Sequence, residues 1–186
     1  MSKIFIGFLF VFLNLSFKLD DTHVINLLPD FIGFMLLYLG TRELREESRR
    51  YTTAAPWLLV LTAYGIACWL MKLLGIDGGW VTSLLELVAA GVTYYATWLV
   101  IKGFEDIENN NSVEIAASGS MRSWRICAIL NIVAVALSWV PVVGVLLLLG
   151  MVVVTIMLLA SLNKTRKLYE AFRMIKPQSS NRGPEF

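Results

Sequence analysis

The chain has 186 residues, of which 57% are hydrophobic and only 16% charged, against about a quarter charged in an ordinary soluble domain. That balance excludes a conventional water-soluble globule, and several apolar runs approach the ~20 residues that cross a bilayer as a helix. The net charge of +2 is small, so the information lies in where the charges fall.

The chain opens with Lys3 and an apolar core through Phe17, in the manner of a signal peptide. Leu15-Ser16-Phe17-Lys18 offers no small-x-small cleavage site, and further apolar runs follow, so the segment reads as a retained first helix. Six spans are expected, at about 4–17, 29–41, 56–74, 80–102, 124–140 and 142–162. The first two are short for a ~30 Å hydrocarbon core. They either thin the bilayer or form a hairpin that dips in and returns. The fold class is therefore all-α: a polytopic integral membrane protein with three helical hairpins. A single transmembrane domain is expected over 1–176, followed by a disordered tail over 177–186.

Orientation follows from the basic residues. Lys3, the cluster Arg42, Arg45, Arg49 and Arg50, then Lys102, Arg122, Arg125 and every basic residue of the tail fall on one side. The other side has only Lys18 and Lys72, beside Asp20, Asp21, Asp30 and Asp77. Both termini are expected in the cytoplasm of a cell membrane.

The first two hairpins echo each other. A shift of 56 residues lays Asp30 on Glu86, Gly33 on Ala89, Tyr38 on Tyr94, Gly40 on Ala96 and Thr41 on Thr97. Pro141, Gly144 and Gly150 are what the third hairpin retains. Each hairpin ends in a charged stretch. Ser112–Ser123 is expected as a short surface helix. Asn163–Lys176 is expected to extend the sixth helix, with Leu168, Phe172 and Ile175 opposite Lys164, Lys167 and Arg173. The tryptophans Trp57, Trp80, Trp98, Trp124 and Trp139 fall near span ends, where an interfacial belt belongs.

Few residues carry chemistry. Pro29-Asp30 suits a helix start, with the carboxylate at the positive end of the helix dipole. Alternatively, Asp20, Asp21, His23, Asn26 and Asp30 line an outward-facing cavity for a cation or cationic ligand. Glu86 lies about 9 Å into the fourth helix, on a small polar face with Ser83, Ala90, Thr93 and Thr97. It is read as an ion-pair partner of Lys72, as a proton-coupled or ligand-binding acid, or as a neutral hydrogen-bonded acid. Tyr64, Trp69 and Tyr94 are the aromatics expected near such a pocket. Asn131, with Cys127, Ala134 and Ser138, marks an interhelical stripe.

Cys68 and Cys127 both lie in apolar runs and read as buried small hydrophobes, with neither a disulfide framework nor a metal site expected. The sequence has no GxSxG, Walker loop, GxGxxG or HExxH pattern, so no enzyme activity and no cofactor are expected. It lacks an extended basic patch with interleaved aromatics, so nucleic acid is not an expected partner. The expected partners are the bilayer, including anionic headgroups at the cytoplasmic face, a small-molecule ligand, and a membrane protein or second copy of the chain.

At KIFIGFLFVFLNL and INLLPDFIGFMLLYLG the chain resembles a group of uncharacterised small multi-span bacterial membrane proteins with an LPDFIG-type segment. The resemblance covers about the first fifth of the chain and implies a polytopic membrane protein. In plan alone, six spans with cytoplasmic termini, it is similar to the substrate-binding subunits of energy-coupling-factor vitamin transporters. Their AxxxA docking pattern is missing from Ile4–Phe10 here. The functional expectation is a small-molecule binding or transport protein. A non-catalytic accessory or scaffold subunit of a membrane complex is the alternative.

Overall fold

The computed structural model describes residues 1–12, 16–20, 23–26, 29–75, 79–136 and 141–180. Helices dominate it: α1 (Ser2–Phe12), α2 (Asp30–Glu43), α3 (Arg49–Leu73), α4 (Gly79–Asn111), α5 (Ala117–Ala136) and α6 (Pro141–Ser180). Between α1 and α2 in sequence, β1 (Ser16–Asp20) pairs antiparallel with β2 (His23–Asn26). Among the described residues three helical segments are long and apolar enough to cross a membrane: Arg49–Met71, Gly79–Asn111 and Leu149–Ile175.

Helix lengths separate these segments from the rest. α1 has 11 residues and α2 has 14, so at 1.5 Å per residue they run only about 16 and 21 Å. α5 has 20 residues but carries Arg122 and Arg125 in its first half, which lowers its hydropathy. The first helix ends at Phe12, short of the expected residue 17. The reason is local: Ser16-Phe17-Lys18-Leu19-Asp20 alternates polar and apolar residues, the period of a strand, and its partner contains β-branched Val24-Ile25.

Other helices outrun their apolar cores. α3 starts at Arg49 and contains Pro56, where the apolar run was expected to begin the helix. Ser48 accepts a hydrogen bond from the Arg50 amide at 3.1 Å and so holds the first turn. α6 continues unbroken through the charged stretch to Ser180, while residues 181–186 lie outside the described residues. Trp139, Ser138, Asp21 and Asp77 also lie outside them.

The chain divides into two compact units. In the first, Ser2–Gly103, α1 and α2 form a close antiparallel hairpin whose open end is tied by an ion pair between Lys3 and Glu43. Ile4, Phe8 and Leu37 are buried along it. Both helices contain the tetrapeptide Phe-Ile-Gly-Phe, at 5–8 and 31–34, and its two glycines meet at the crossing. At Gly65 of α3 an added Cβ would lie 3.0 Å from Phe31 Cβ, so α2 packs closely on α3. The Tyr51 ring at the start of α3 lies over Gly103 of α4.

The 56-residue shift extends to environment. Thr41 and Thr97 are both fully buried, and their hydroxyls donate to the carbonyls of Tyr38 at 2.8 Å and Tyr94 at 3.2 Å. Gly40 and Ala96 are buried beside them.

The second unit, from Phe104 onward, holds the last turns of α4 with α5 and α6. Ser112 and Ala116 take left-handed backbone angles, φ 51° and 59°, and turn the chain between α4 and α5. The Glu108 carboxylate accepts hydrogen bonds from the amides of Ile115 at 2.8 Å and Ala117 at 3.0 Å, satisfying donors at the start of α5. That cap starts a continuous helix at Ala117, in place of the separate surface helix expected over Ser112–Ser123. Ser120, fully buried on α5, is hydrogen-bonded to Thr165 at 2.9 Å and Ser161 at 3.2 Å on α6. Along the tail of α6, Leu162, Thr165 and Tyr169 are buried, and Lys164, Lys167, Leu168 and Ile175 are exposed.

Candidate functional site

One turn of α3 organises the expected site residues. Gly65 and Trp69, four residues apart, share a face that meets α2. Phe31 packs on Gly65, and the Phe31 and Trp69 rings meet edge-on at 6.0 Å between centroids. Tyr64 and Cys68, also four apart, form the neighbouring stripe. Phe31, which follows Asp30 directly, is thus the α2 residue that meets this level of α3.

Asp30 is the first residue of α2 and half-buried. Pro29 sits one place earlier than the sequence suggests, as the N-cap, with φ −63° and no side-chain cap hydrogen bond. The carboxylate therefore lies in the first turn, at the positive end of the helix dipole.

Glu86 lies in the N-terminal part of α4, where Ser83, Ala90 and Gly91 are also exposed and the space around Gly91 is open. A small polar face of this kind suits packing against other helices. Only its C-terminal part packs in this way: Thr93 is half-buried and Thr97 is fully buried, each bonded to a carbonyl of its own helix at 2.8 and 2.7 Å. The pairing of Glu86 with Lys72 rests on a side chain outside the described residues.

The Tyr64 hydroxyl is shielded from solvent and makes no full hydrogen bond to the described residues. The Cys68 thiol one turn away is a weak partner. A shielded hydroxyl of this kind is costly unless something supplies a partner.

The remaining expected residues lie elsewhere. Tyr94 is two turns along α4 from Glu86, where its ring meets Phe12 edge-on at 6.5 Å between centroids. It closes the α1 side of the unit and is not beside Glu86. His23 and Asn26 belong to β2, with His23 opposite Asp20 and Asn26 opposite Ser16 in the ladder, and their side chains lie outside the described residues. Among the described residues no three His, Cys, Asp or Glu side chains converge as metal ligands. Phe31 and Gly65 are the contributors that sequence reasoning passed over. Their signal was Phe31 directly following Asp30, and a glycine one residue beyond Tyr64 in an apolar helix, where small residues mark close helix approach.

Comparison with protein-family models, with curated proteins and with solved structures returns no match.

Proposed function

We propose that the chain is an integral membrane protein that binds or transports a small molecule, entering between α2, α3 and α4 from the side opposite the basic clusters. The observation that carries this reading is the Tyr64 hydroxyl, shielded and without a full hydrogen bond to the described residues, one turn from Cys68. Polar groups at membrane depth are expensive and ordinarily face a cavity, a ligand or a partner. In this reading Glu86 and Tyr64 supply an acceptor and a donor to the polar part of the ligand. Trp69 and Phe31 supply an apolar wall, and Asp30 orients a cationic or donor group at the mouth. The membrane is a cell membrane, α1 and α2 form a hairpin that dips in and returns or thins the bilayer, and both termini are cytoplasmic by the distribution of Lys and Arg. No catalytic role is assigned.

The test is native mass spectrometry of protein extracted gently from its own membrane, with Asp30→Asn and Glu86→Gln alongside. A stoichiometric small molecule retained by the parent and lost from Glu86→Gln is the expected result. Equal retention by both variants would remove these residues from the site.

A second reading, a non-catalytic accessory subunit, is favoured by the exposed Ser83, Ala90 and Gly91 face of α4. It predicts that Ala90→Leu dissociates a co-purifying membrane protein while Glu86→Gln leaves the complex intact.

A further inference from the structure

α4 and α5 border an open groove of about 530 Å³, lined by Glu105 of α4 and by Ser118, Met121, Arg122, Arg125 and Ile126 of α5. The α5 residues recur at three- and four-residue spacings, so a single face of the helix supplies them. We infer that this face binds the headgroup of an anionic phospholipid, its phosphodiester held by Arg122 and Arg125. The inference rests on the membrane location proposed above, and concerns a different surface from the Tyr64 site.

Charge is the first argument. Arg122 and Arg125 are exposed, and neither has a hydrogen bond or ion pair among the described residues, whereas Glu105 is already engaged. Two guanidiniums against one carboxylate leave an excess of one positive charge, the complement of a phosphodiester. Guanidinium forks match phosphate oxygens geometrically and are weakly hydrated for a cation, so such a pair is suited to a headgroup.

The second argument is what lies along α5 beyond the arginines. Ile126, Ile129 and Ile132 are 42%, 61% and 67% exposed, continuing the same side of the helix for about 10 Å past Arg125. Met121, 3% exposed, backs the groove between α4 and α5. A soluble phosphate ester needs only the arginines. An exposed isoleucine stripe leading away from them requires an apolar companion, which an acyl chain supplies. The arginine stems then lie along apolar surface with their heads at the phosphate level.

The experiment titrates delipidated, detergent-purified full-length protein with dioleoyl phosphatidylglycerol, dioleoyl phosphatidylethanolamine, dioleoyl phosphatidylcholine or inorganic phosphate, read by native mass spectrometry. Phosphatidylglycerol should be retained in preference to both zwitterionic lipids. Arg122→Gln/Arg125→Gln should weaken that retention on the order of ten- to thirty-fold, as expected for two basic residues at an anionic surface, without altering phosphatidylcholine retention. Arg122→Lys/Arg125→Lys should keep part of it, and Arg173→Gln on the tail should keep all of it. Equal retention of the three lipids, or an unchanged double Gln variant with unaltered helicity, would overturn the site. Displacement of phosphatidylglycerol by inorganic phosphate would overturn the lipid as its occupant. Protein that stays monodisperse without detergent would overturn the membrane reading itself.

Discussion

A Cβ added at Gly7 would lie 2.9 Å from the carbonyl oxygen of Gly33, and one added at Gly33 would lie 3.0 Å from the carbonyl oxygen of Gly7. The two glycines of the repeated Phe-Ile-Gly-Phe segments therefore set the distance between α1 and α2. Backbone on the far side cannot swing away as a side-chain end would. Gly7→Ala and Gly33→Ala should each destabilise the hairpin by about 1–3 kcal/mol, the range for overpacking a close contact. Gly91→Ala, with nothing nearby, should be neutral or stabilising by up to about 1 kcal/mol through helix propensity. Thermal unfolding of the three variants in one detergent checks the opposite signs. Gly33→Leu, larger still, would break the α1–α2 hairpin outright.

Glu108 acts as a cap from seven and nine residues away. Replacing it with Ala leaves the Ile115 and Ala117 amides without their acceptor and should cost about 0.5–2 kcal/mol, as loss of an N-terminal cap does. Gln keeps one acceptor oxygen and should lose less. Hydrogen exchange localises the effect: amides at 115 and 117 should exchange faster in Glu108→Ala, while those in the middle of α6 should not change. Uniform acceleration through α5 and α6 would mean that Glu108 supports the whole unit.

Most of the helical plan was legible because apolar runs are the strongest local signal, and Pro29-Asp30 located the start of α2 to within one residue. The errors share a physical origin. A run of apolar residues marks what prefers lipid or a core, not where backbone hydrogen bonding stops, so α3 and α4 extend into Arg49-Arg50 and Glu105–Asn111, whereas the expected extension of the sixth helix through Asn163–Lys176 is present in α6. The β1–β2 ladder was written in the alternation of residues 16–20, but the apolar run ahead of it was read through it. Of the candidate site, Glu86 and Trp69 stood out as odd residues on apolar helices. That Trp69 meets Phe31 while Tyr64 and Cys68 share the neighbouring stripe of α3 depends on helix rotation that no local pattern records. Tyr94 was expected near the pocket as a neighbouring aromatic, but it lies two turns along α4 from Glu86, against Phe12.

Ser120 and Thr165 form a buried hydroxyl pair across α5 and α6, with Thr165 also reaching the Ala116 carbonyl at 3.4 Å. Removing Ser120 leaves the buried Thr165 hydroxyl with only the long contact to the Ala116 carbonyl, so Ser120→Ala should cost about 1–3 kcal/mol. Thr165→Val fills the same volume without the hydroxyl. The double variant Ser120→Ala/Thr165→Val should therefore be more stable than the sum of the single losses implies. A double-mutant cycle by denaturant titration measures the coupling, expected at 0.5 kcal/mol or more for residues in contact. Strict additivity would show that the two hydroxyls are separately satisfied by Ser161 and the Ala116 carbonyl.

Tyr64→Phe separates a structural hydroxyl from a functional one because the two roles predict opposite signs. The Tyr64 oxygen is shielded and makes no full hydrogen bond to the described residues, and a buried polar group left in that state costs about 1–3 kcal/mol. Phenylalanine has the same ring and no hydroxyl, so the ligand-free protein should be as stable as the parent or more so. If the hydroxyl serves a ligand with Glu86, the same substitution should weaken ligand retention, and the gap between the two should close when ligand is added to the parent, since binding to the folded form stabilises it. Melting temperature with and without the retained molecule, measured on parent, Tyr64→Phe and Glu86→Gln, provides both numbers. A fall in ligand-free stability for Tyr64→Phe would show that the oxygen bonds to a protein group and would withdraw it from the site. Unchanged stability with unchanged retention would leave Glu86 acting through other neighbours on the exposed face of α4.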